Sequence, residues 1–240
     1  MKRSIKKITA LLLSATIVSG LVGCTGETKV PEVTYKFDET QEGWIGGFAD
    51  LPIGEENKEF YSLDFQYADI PVEGKESKGL YITGNNHSDD LFMYITKKVD
   101  KEIGLKANTK YKVDLSFDMA TGVPGGMMGI GGSPGSSIYV KAGIVNVEPN
   151  VVEDSLNYYR FNIDQGSQSG GGKDMTVLGN VEKTDESVDE SFQYKSFESS
   201  YEVITDENGQ AWIVIGTDSG FEGITQLYYD NIEIKFNEIK

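Results

Sequence analysis

The chain has 240 residues, with 22 Lys and Arg against 38 Asp and Glu, a formal net charge of −16, one cysteine and one histidine. A polypeptide this acidic repels phosphate backbones and anionic headgroups, which argues against nucleic acid as a partner and against a polybasic membrane contact. A single cysteine excludes an internal disulfide, and a single histidine excludes multi-histidine zinc sites.

The first element is an address. Lys2, Arg3, Lys6 and Lys7 precede an apolar or small run from Ile8 to Val22, and the pattern closes at Cys24. This is a secretory signal, and its apolar part is shorter than the roughly 20 residues a membrane span needs, so cleavage is expected. Leu21-Val22-Gly23-Cys24 resembles the lipobox of bacterial lipoproteins. That resemblance implies cleavage before Cys24, a diacylglyceryl group on its thiol, and anchoring to the lipid bilayer on the extracytoplasmic face of the cell membrane. Loss of residues 1–23 would move the formal charge from −16 to −20. Residues 24–32 are mostly polar and read as a tether, and residues 33–240 read as one domain, large enough to bury a full core without cross-links.

Beyond the tether the periodicity is that of strands. Tyr111, Val113, Leu115, Phe117 and Met119 alternate with Lys112, Asp114, Ser116 and Asp118, which predicts a strand with one buried and one wet face. The same rhythm runs through Tyr61, Leu63, Phe65 and Tyr67, and through Ile138, Val140, Ala142 and Ile144. Further strands are expected near 34–38, 79–83, 91–97, 157–163, 192–204, 211–217 and 226–236. Capped three-four spacing is missing after the signal, so the fold class is all-β, an antiparallel β-sandwich with almost no helix. Two glycine-rich stretches, Thr121 to Ser136 with Met127 and Met128, and Gln165 to Lys173, are expected to be exposed loops. The acidic run Glu182 to Glu190 is expected to be a solvated connection.

Several catalytic motifs match in letters but not in context. Gly131-Gly132-Ser133-Pro134-Gly135 has the spelling of a nucleophile elbow, yet a strand rather than a helix is expected after it. Gly170-Gly171-Gly172-Lys173-Asp174 puts aspartate where a phosphate loop needs Ser or Thr. His87, within Asn85-Asn86-His87-Ser88-Asp89-Asp90, reads as a turn residue in preference to a general base. No catalytic residue is assigned, and the chain is not expected to be an enzyme.

The last strand carries the sharper signal. Strict alternation places Asp230 on one face with Tyr228, Ile232, Ile234 and Phe236, and a core-facing carboxylate must be paired, hydrogen-bonded or bound to a cation. Phe37-Asp38-Glu39 with Gly43-Trp44, the stretch Leu105 to Val113, and Tyr228 to Ile234 together resemble the jelly-roll carbohydrate-binding modules of galactose-binding-domain type. The resemblance spans nearly all of the chain after the tether. It implies a jelly roll with a structural Ca²⁺ between the first and last strands, held by Asp230 with Asp38 and Glu39; backbone amides satisfying Asp230 are the other reading. It also implies glycan recognition by exposed aromatic faces, for which Trp44 and Tyr158 are the candidates, while Trp212 is expected in the core. The expectation is a lipoprotein that binds glycan or a cell-envelope polymer without catalysis. The alternatives are a scaffold or protein-interaction lipoprotein using loops 121–136 and 165–173, and, behind both, a glycoside hydrolase.

Overall fold

The structure, a computed structural model, describes residues 30–54, 57–87, 90–185 and 188–239. The signal and Cys24 lie outside the described residues, as does Glu186 of the acidic run. In chain order the strands are β1 (Glu32–Tyr35), β2 (Ile45–Ala49), β3 (Leu51–Pro52), β4 (Asp64–Asp69), β5 (Lys78–Asn85), β6 (Leu91–Val99) and β7 (Lys110–Thr121). They continue with β8 (Ile138–Val145), β9 (Val151–Glu153), β10 (Tyr158–Phe161), β11 (Thr176–Asn180), β12 (Gln193–Ile204), β13 (Ala211–Ser219) and β14 (Ile224–Glu238). A single turn of helix, α1 (Asn57–Phe60), is the only helix among the described residues.

Eight strands form a rolled antiparallel ribbon. β5, β6, β7 and β8 pair with β14, β13, β12 and β11 respectively, so the first half of the ribbon returns against the second in reverse order. Rolling that ribbon brings β14 against β7 and β13 against β8, which closes two facing sheets. Sheet A has the order β12-β7-β14-β5-β4, with β1 beside the second half of β14; sheet B has the order β11-β8-β13-β6-β2. This is the jelly-roll connectivity of an antiparallel sandwich. Its core is the alternating apolar face of each strand: Val113, Leu115, Phe117 and Met119 from β7 meet Met93, Ile95, Ile213 and Ile215 from sheet B, all buried. Phe117 stacks on Phe197 at 5.3 Å between centroids, joining β7 to β12.

β2 escaped the sequence reading because its glycines look like loop residues. Here they serve close packing: a Cβ on Gly46 would meet the Phe65 ring at 2.3 Å, and one on Gly47 would meet the Tyr94 ring at 2.3 Å.

The register of β14 departs from strict alternation. Its pairing with β7 shifts between Asp230 and Glu233, and Asn231 lies at φ +48. This bulge inserts one residue, so Leu227 and Tyr229 face the core before it and Ile232, Ile234 and Phe236 after it. Tyr228 therefore faces outward, as does Asp230, which pairs in register with the outward Asp118 of β7. The bulge is also where β14 exchanges its neighbour β5 for β1.

Trp44 is likewise corrected. It is fully buried between the sheets, edge-on to Tyr35 at 5.4 Å and to Phe37 at 6.4 Å, and it offers no face to a ligand. The glycines around it let the chain turn; they do not expose the indole.

The third sheet, β3-β10-β9, lies across the outer face of sheet B. Phe161 packs on Tyr94 at 4.3 Å and on Phe92 at 5.3 Å, and with Ile163, Met175, Trp212 and Val214 they make a second apolar core. Trp212 is thus buried as expected, but beneath this cover and not between the sheets.

Candidate functional site

The outer face of sheet A is an open groove whose lining follows from strand register. Four successive rungs cross it. The uppermost is Tyr194, Ala120, Tyr228, Tyr81 and Gln66; below it come Ser196 and Asp118 with Asp230, then Glu198, Ser116, Glu233 and Thr34, then Ser200, Asp114, Lys235 and Glu32. Outward side chains repeat every second residue, about 6.6 Å along a strand and about 4.8 Å across to the next. Two adjoining depressions of about 490 Å³ each run through the lower three rungs, sharing Ser116, Glu198 and Glu233.

The polar groups are held in place before any ligand arrives. Asp118 accepts from Ser196 Oγ at 2.6 Å and from Asn231 Nδ2 at 3.0 Å. Asp114 accepts from Ser200 Oγ at 2.6 Å and from Asn237 Nδ2 at 3.0 Å. The same serine, aspartate and asparagine arrangement therefore occurs twice on β12, β7 and β14, four residues apart along β7. The bulge at Asn231 is what turns its amide toward Asp118. Between the two arrangements, Ser116, Glu198 and Glu233 present hydroxyl and carboxylate groups to solvent.

At the upper end the floor becomes aromatic. Tyr81 and Tyr228 pack at 4.9 Å, Phe192 meets Tyr228 edge-on at 5.4 Å, and Gln226 Nε2 donates to Tyr81 Oη at 2.8 Å. Ala120, between Tyr194 and Tyr228, leaves a gap across this rung.

Asp230 sits at the junction of the aromatic and acidic parts, only 3% exposed. It accepts from Tyr194 Oη at 2.9 Å and from the Asn231 amide at 2.7 Å, and Tyr194 Oη also bonds Ser77 Oγ at 2.8 Å. Burial holds its carboxyl above the usual carboxylate range, with the charges of Asp118 and Asp38 adding to the rise and its two donors opposing it. Asp38 and Glu39 are exposed, and among the described residues no group of three or more His, Cys, Asp or Glu side chains gathers closely enough to hold a metal. Within the protein two hydrogen bonds satisfy Asp230.

Tyr158 is on β10, across the molecule from this groove. It is half-buried, and the Arg160 guanidinium lies over its ring at 4.7 Å. Trp44 and Tyr158 therefore share no surface. His87 is exposed and packs at 4.3 Å on Phe60 of α1, and the two residues after it lie outside the described residues. Ser133 lies in a turn that leads into β8, without the helix an elbow requires. In the acidic run, Lys183 is the organising residue: its side chain is fully buried and donates to Asp189 Oδ1 at 3.0 Å and Asp189 O at 2.9 Å. The Asp189 carboxyl, bonded by Ser191 and then Lys183, is pulled down to about 2.

The groove residues were missed in the sequence because their alternation reads equally as a solvated face. The one available signal was composition: Asp, Ser, Glu and Asn fill the outward positions of three strands that a jelly roll makes adjacent.

No family model matches the sequence, and no curated protein matches it significantly. Among solved structures the chain is similar to the TmCBM61 module in complex with β-1,4-galactotriose, at 8% identity over 81% of this chain and 88% of that one, with a TM-score of 0.36. It is similar also to the CBM22-1 xylan-binding domain from Paenibacillus barcinonensis Xyn10C, at 11% identity over 90% of this chain and 100% of that one, TM-score 0.40. The K1 cleaved adhesin domain of Lys-gingipain from Porphyromonas gingivalis aligns at 10% identity over 85% and 97%, TM-score 0.40. At scores of this size the sites of those proteins are not transferred to this chain.

Proposed function

We propose that the protein is a lipid-anchored, extracytoplasmic, non-catalytic binding module that takes a neutral, hydroxyl-rich glycan along the groove of sheet A. The observation that carries this reading is the doubled serine, aspartate and asparagine arrangement on adjacent strands. Carboxylates fixed by neighbouring donors keep lone pairs directed outward, which suits bidentate acceptance from vicinal hydroxyls. Tyr194 and Tyr228 at the upper end supply the apolar surface against which a sugar face packs. The acidic lining (Asp114, Asp118, Glu198, Glu233) disfavours anionic polymers, since like charges meeting in a groove repel. The anchor is Cys24 of the lipobox-like segment, with the bilayer as its partner.

The test is affinity electrophoresis of the full-length protein in detergent, through gels containing xylan, galactan or mixed-linkage β-glucan. Retardation by at least one of them, lost in Asp118→Ala with Glu233→Ala, is the expected result. Retardation unchanged in that double variant, or no retardation by any of the three, overturns the groove as a glycan site. Labelled palmitate entering wild type and not Cys24→Ser checks the anchor.

A specific observation favours a second reading. Met128 and Ile130, in the loop between β7 and β8, are 96% and 71% exposed, a profile suited to contact with another protein. Cross-linking from residue 128 to an envelope protein, with no glycan retardation, would favour it.

A further inference from the structure

The sealed face of sheet B holds an ion pair that the binding reading does not use. Lys141 on β8 and Asp218 on β13 are 0% and 1% exposed at their side chains, and Lys141 Nζ lies 2.8 Å from Asp218 Oδ2. Lys141 pairs in register with Gly216 of β13, so Asp218, two residues on, is its diagonal neighbour on the same face. Asp218 itself pairs with Phe92 of β6, and Asp90, two residues before Phe92, is the diagonal neighbour on the other side. Lys141 and Asp218 thus lie on adjacent strands and Asp90 immediately precedes the next one, β6, with Asp218 in the middle.

The Lys141 ammonium and one oxygen of Asp218 have defined partners. Besides Asp218, Lys141 Nζ donates to the carbonyls of Gln165 at 2.8 Å and Gly170 at 3.0 Å, both in the loop closing over the face. Asp218 Oδ2 also accepts from the Gln168 amide at 2.8 Å. Asp218 Oδ1 is buried and has no hydrogen-bond partner among the described residues. Asp90 also faces Asp218: burial, with the charges of Asp50 and Asp218, raises its carboxyl to about 7 against the opposing charge of Arg160 at 4.0 Å, so near neutrality its protonated form is populated beside the pair. The apolar cluster of Phe92, Tyr94, Phe161, Met175 and Val214 shares this face of sheet B.

We propose that Lys141 and Asp218 condense to an isopeptide bond that ties β8 to β13 under the cover, with Asp90 as the proton-transfer group. The chemistry closes without any co-reactant. A proton passes from the Lys141 ammonium to the Asp218 carboxylate; the neutral amine keeps its two N–H bonds to the Gln165 and Gly170 carbonyls, and its lone pair is then directed at Asp218. Nζ attacks Cγ while Asp90 donates to Oδ1, which stabilises the tetrahedral oxygen as an oxyanion-hole donor would. The Nζ–Cγ bond forms and the Cγ–Oδ2 bond breaks. Oδ2 leaves as water with two of the three ammonium protons, and the proton lent by Asp90 returns to it. The amide keeps one N–H for the loop carbonyls. Two reacting groups held in contact in a dry site have the near-attack geometry that replaces a bimolecular encounter. A chain with one cysteine has no internal disulfide, and this bond would supply a covalent cross-link between two neighbouring strands of sheet B.

The experiment is peptide mapping by tandem mass spectrometry of the native full-length protein, digested after denaturation. The expected result is a branched peptide joining Lys141 to Asp218, one water lighter than the two linear peptides together. Asp90→Asn, which leaves the lysine, its partner and the loop contacts in place, is expected to give the linear peptides in a protein that still unfolds cooperatively. Linear peptides from wild type after prolonged incubation at neutral pH overturn the bond. A branched peptide formed in Asp90→Asn as completely as in wild type overturns the role of Asp90.

Discussion

On sheet A the outward positions of β7, β12 and β14 include Asp114, Ser116, Asp118, Glu198 and Glu233, which stay at least partly open to solvent; on sheet B the outward positions of β6, β8 and β13 include Phe92, Lys141, Trp212, Val214 and Asp218, and residues 147–175 fold back over them. Both faces contain fixed carboxylates. On the open face these are bonded by neutral serine and asparagine and stay accessible, so their hydrogen-bonding capacity is available to a partner. On the sealed face they are matched to cations, Lys141 against Asp218 and Arg160 against Asp50 at 2.7 Å, and little capacity is left over. Under the proposed function, binding belongs to the open face and stability to the sealed one, and substitutions should separate the two roles.

The largest effect is expected at Lys141. Removing one member of a fully buried pair leaves an uncompensated charge, which costs about 3–5 kcal/mol. Lys141→Met should lower the urea midpoint by that measure and leave glycan retardation by the surviving folded protein unchanged. Replacing Asp218 as well, with Leu, should recover much of the loss; no recovery would mean that Lys141 acts through the loop carbonyls instead. Trp44→Ala should cost a similar amount, about 3–5 kcal/mol, because it empties a site between the sheets. A midpoint unmoved by Trp44→Ala would restore the exposed, ligand-facing indole that the sequence suggested.

The open face should give the converse result. Asp118→Ala removes a charged acceptor from the groove, worth about 1.5–3 kcal/mol in binding, or roughly ten- to hundredfold in Kd. Its effect on the unfolding midpoint should stay within about 0.5 kcal/mol, as for other substitutions at wet positions. Titration calorimetry and urea unfolding on the same variant check both halves, and a large midpoint shift without loss of binding would break the division between the faces.

A smaller effect separates the faces by pH. Asp90 titrates near 7 in the folded protein, against an ordinary value of 3.8, so between these values the folded state holds a proton that the unfolded state has lost. Its contribution to stability is complete below the lower value and falls away as pH rises through the window. Asp90→Asn should flatten the fall in stability between about pH 4 and pH 7. An unchanged profile would show that Asp218 and Asp50 do not raise Asp90. Groove variants such as Asp114→Ala should keep the wild-type profile.

How much of this was legible depended on whether one strand carried the information. The alternation of β7 and β8 identifies the strands and their core faces, and the acid that needed explaining, Asp230, was recognised from β14 alone. Three things lay beyond any single strand. The bulge at Asn231 reverses the faces of β14 halfway, and asparagine tolerates a positive φ without announcing one. The alternation of β8 assigned Lys141 to a wet face because the cover over it comes from Gln165 and Gly170, a contact across 24 and 29 residues that no period encodes. The second glycine stretch is the exposed loop it was read as, at Ser167, Ser169, Gly170, Gly171 and Lys173, but its inner carbonyls cover Lys141. Its glycines permit close backbone approach: a Cβ on Gly172 would meet the Asp164 carbonyl at 2.1 Å, and the turn seats its carbonyls on the lysine. The groove fails to show in sequence because it exists only where β12, β7 and β14 lie side by side.

The smallest expected effect concerns Asp230, which sits between the aromatic rung and the acidic rungs of the open face. With both donors in place its carboxylate needs no cation, so chelator should leave the unfolding midpoint of wild type where it was. Asp230→Asn keeps an acceptor for Tyr194 while removing a charge that Asp118 and Asp38 oppose, and its midpoint should move by less than about 1 kcal/mol. A ligand bound only to the native state stabilises it by mass action. A chelator-dependent loss of stability in wild type, absent in Asp230→Asn, would therefore identify a bound Ca²⁺ and give the open face a structural centre of its own, comparable to the one the sealed face has in Lys141 and Asp218.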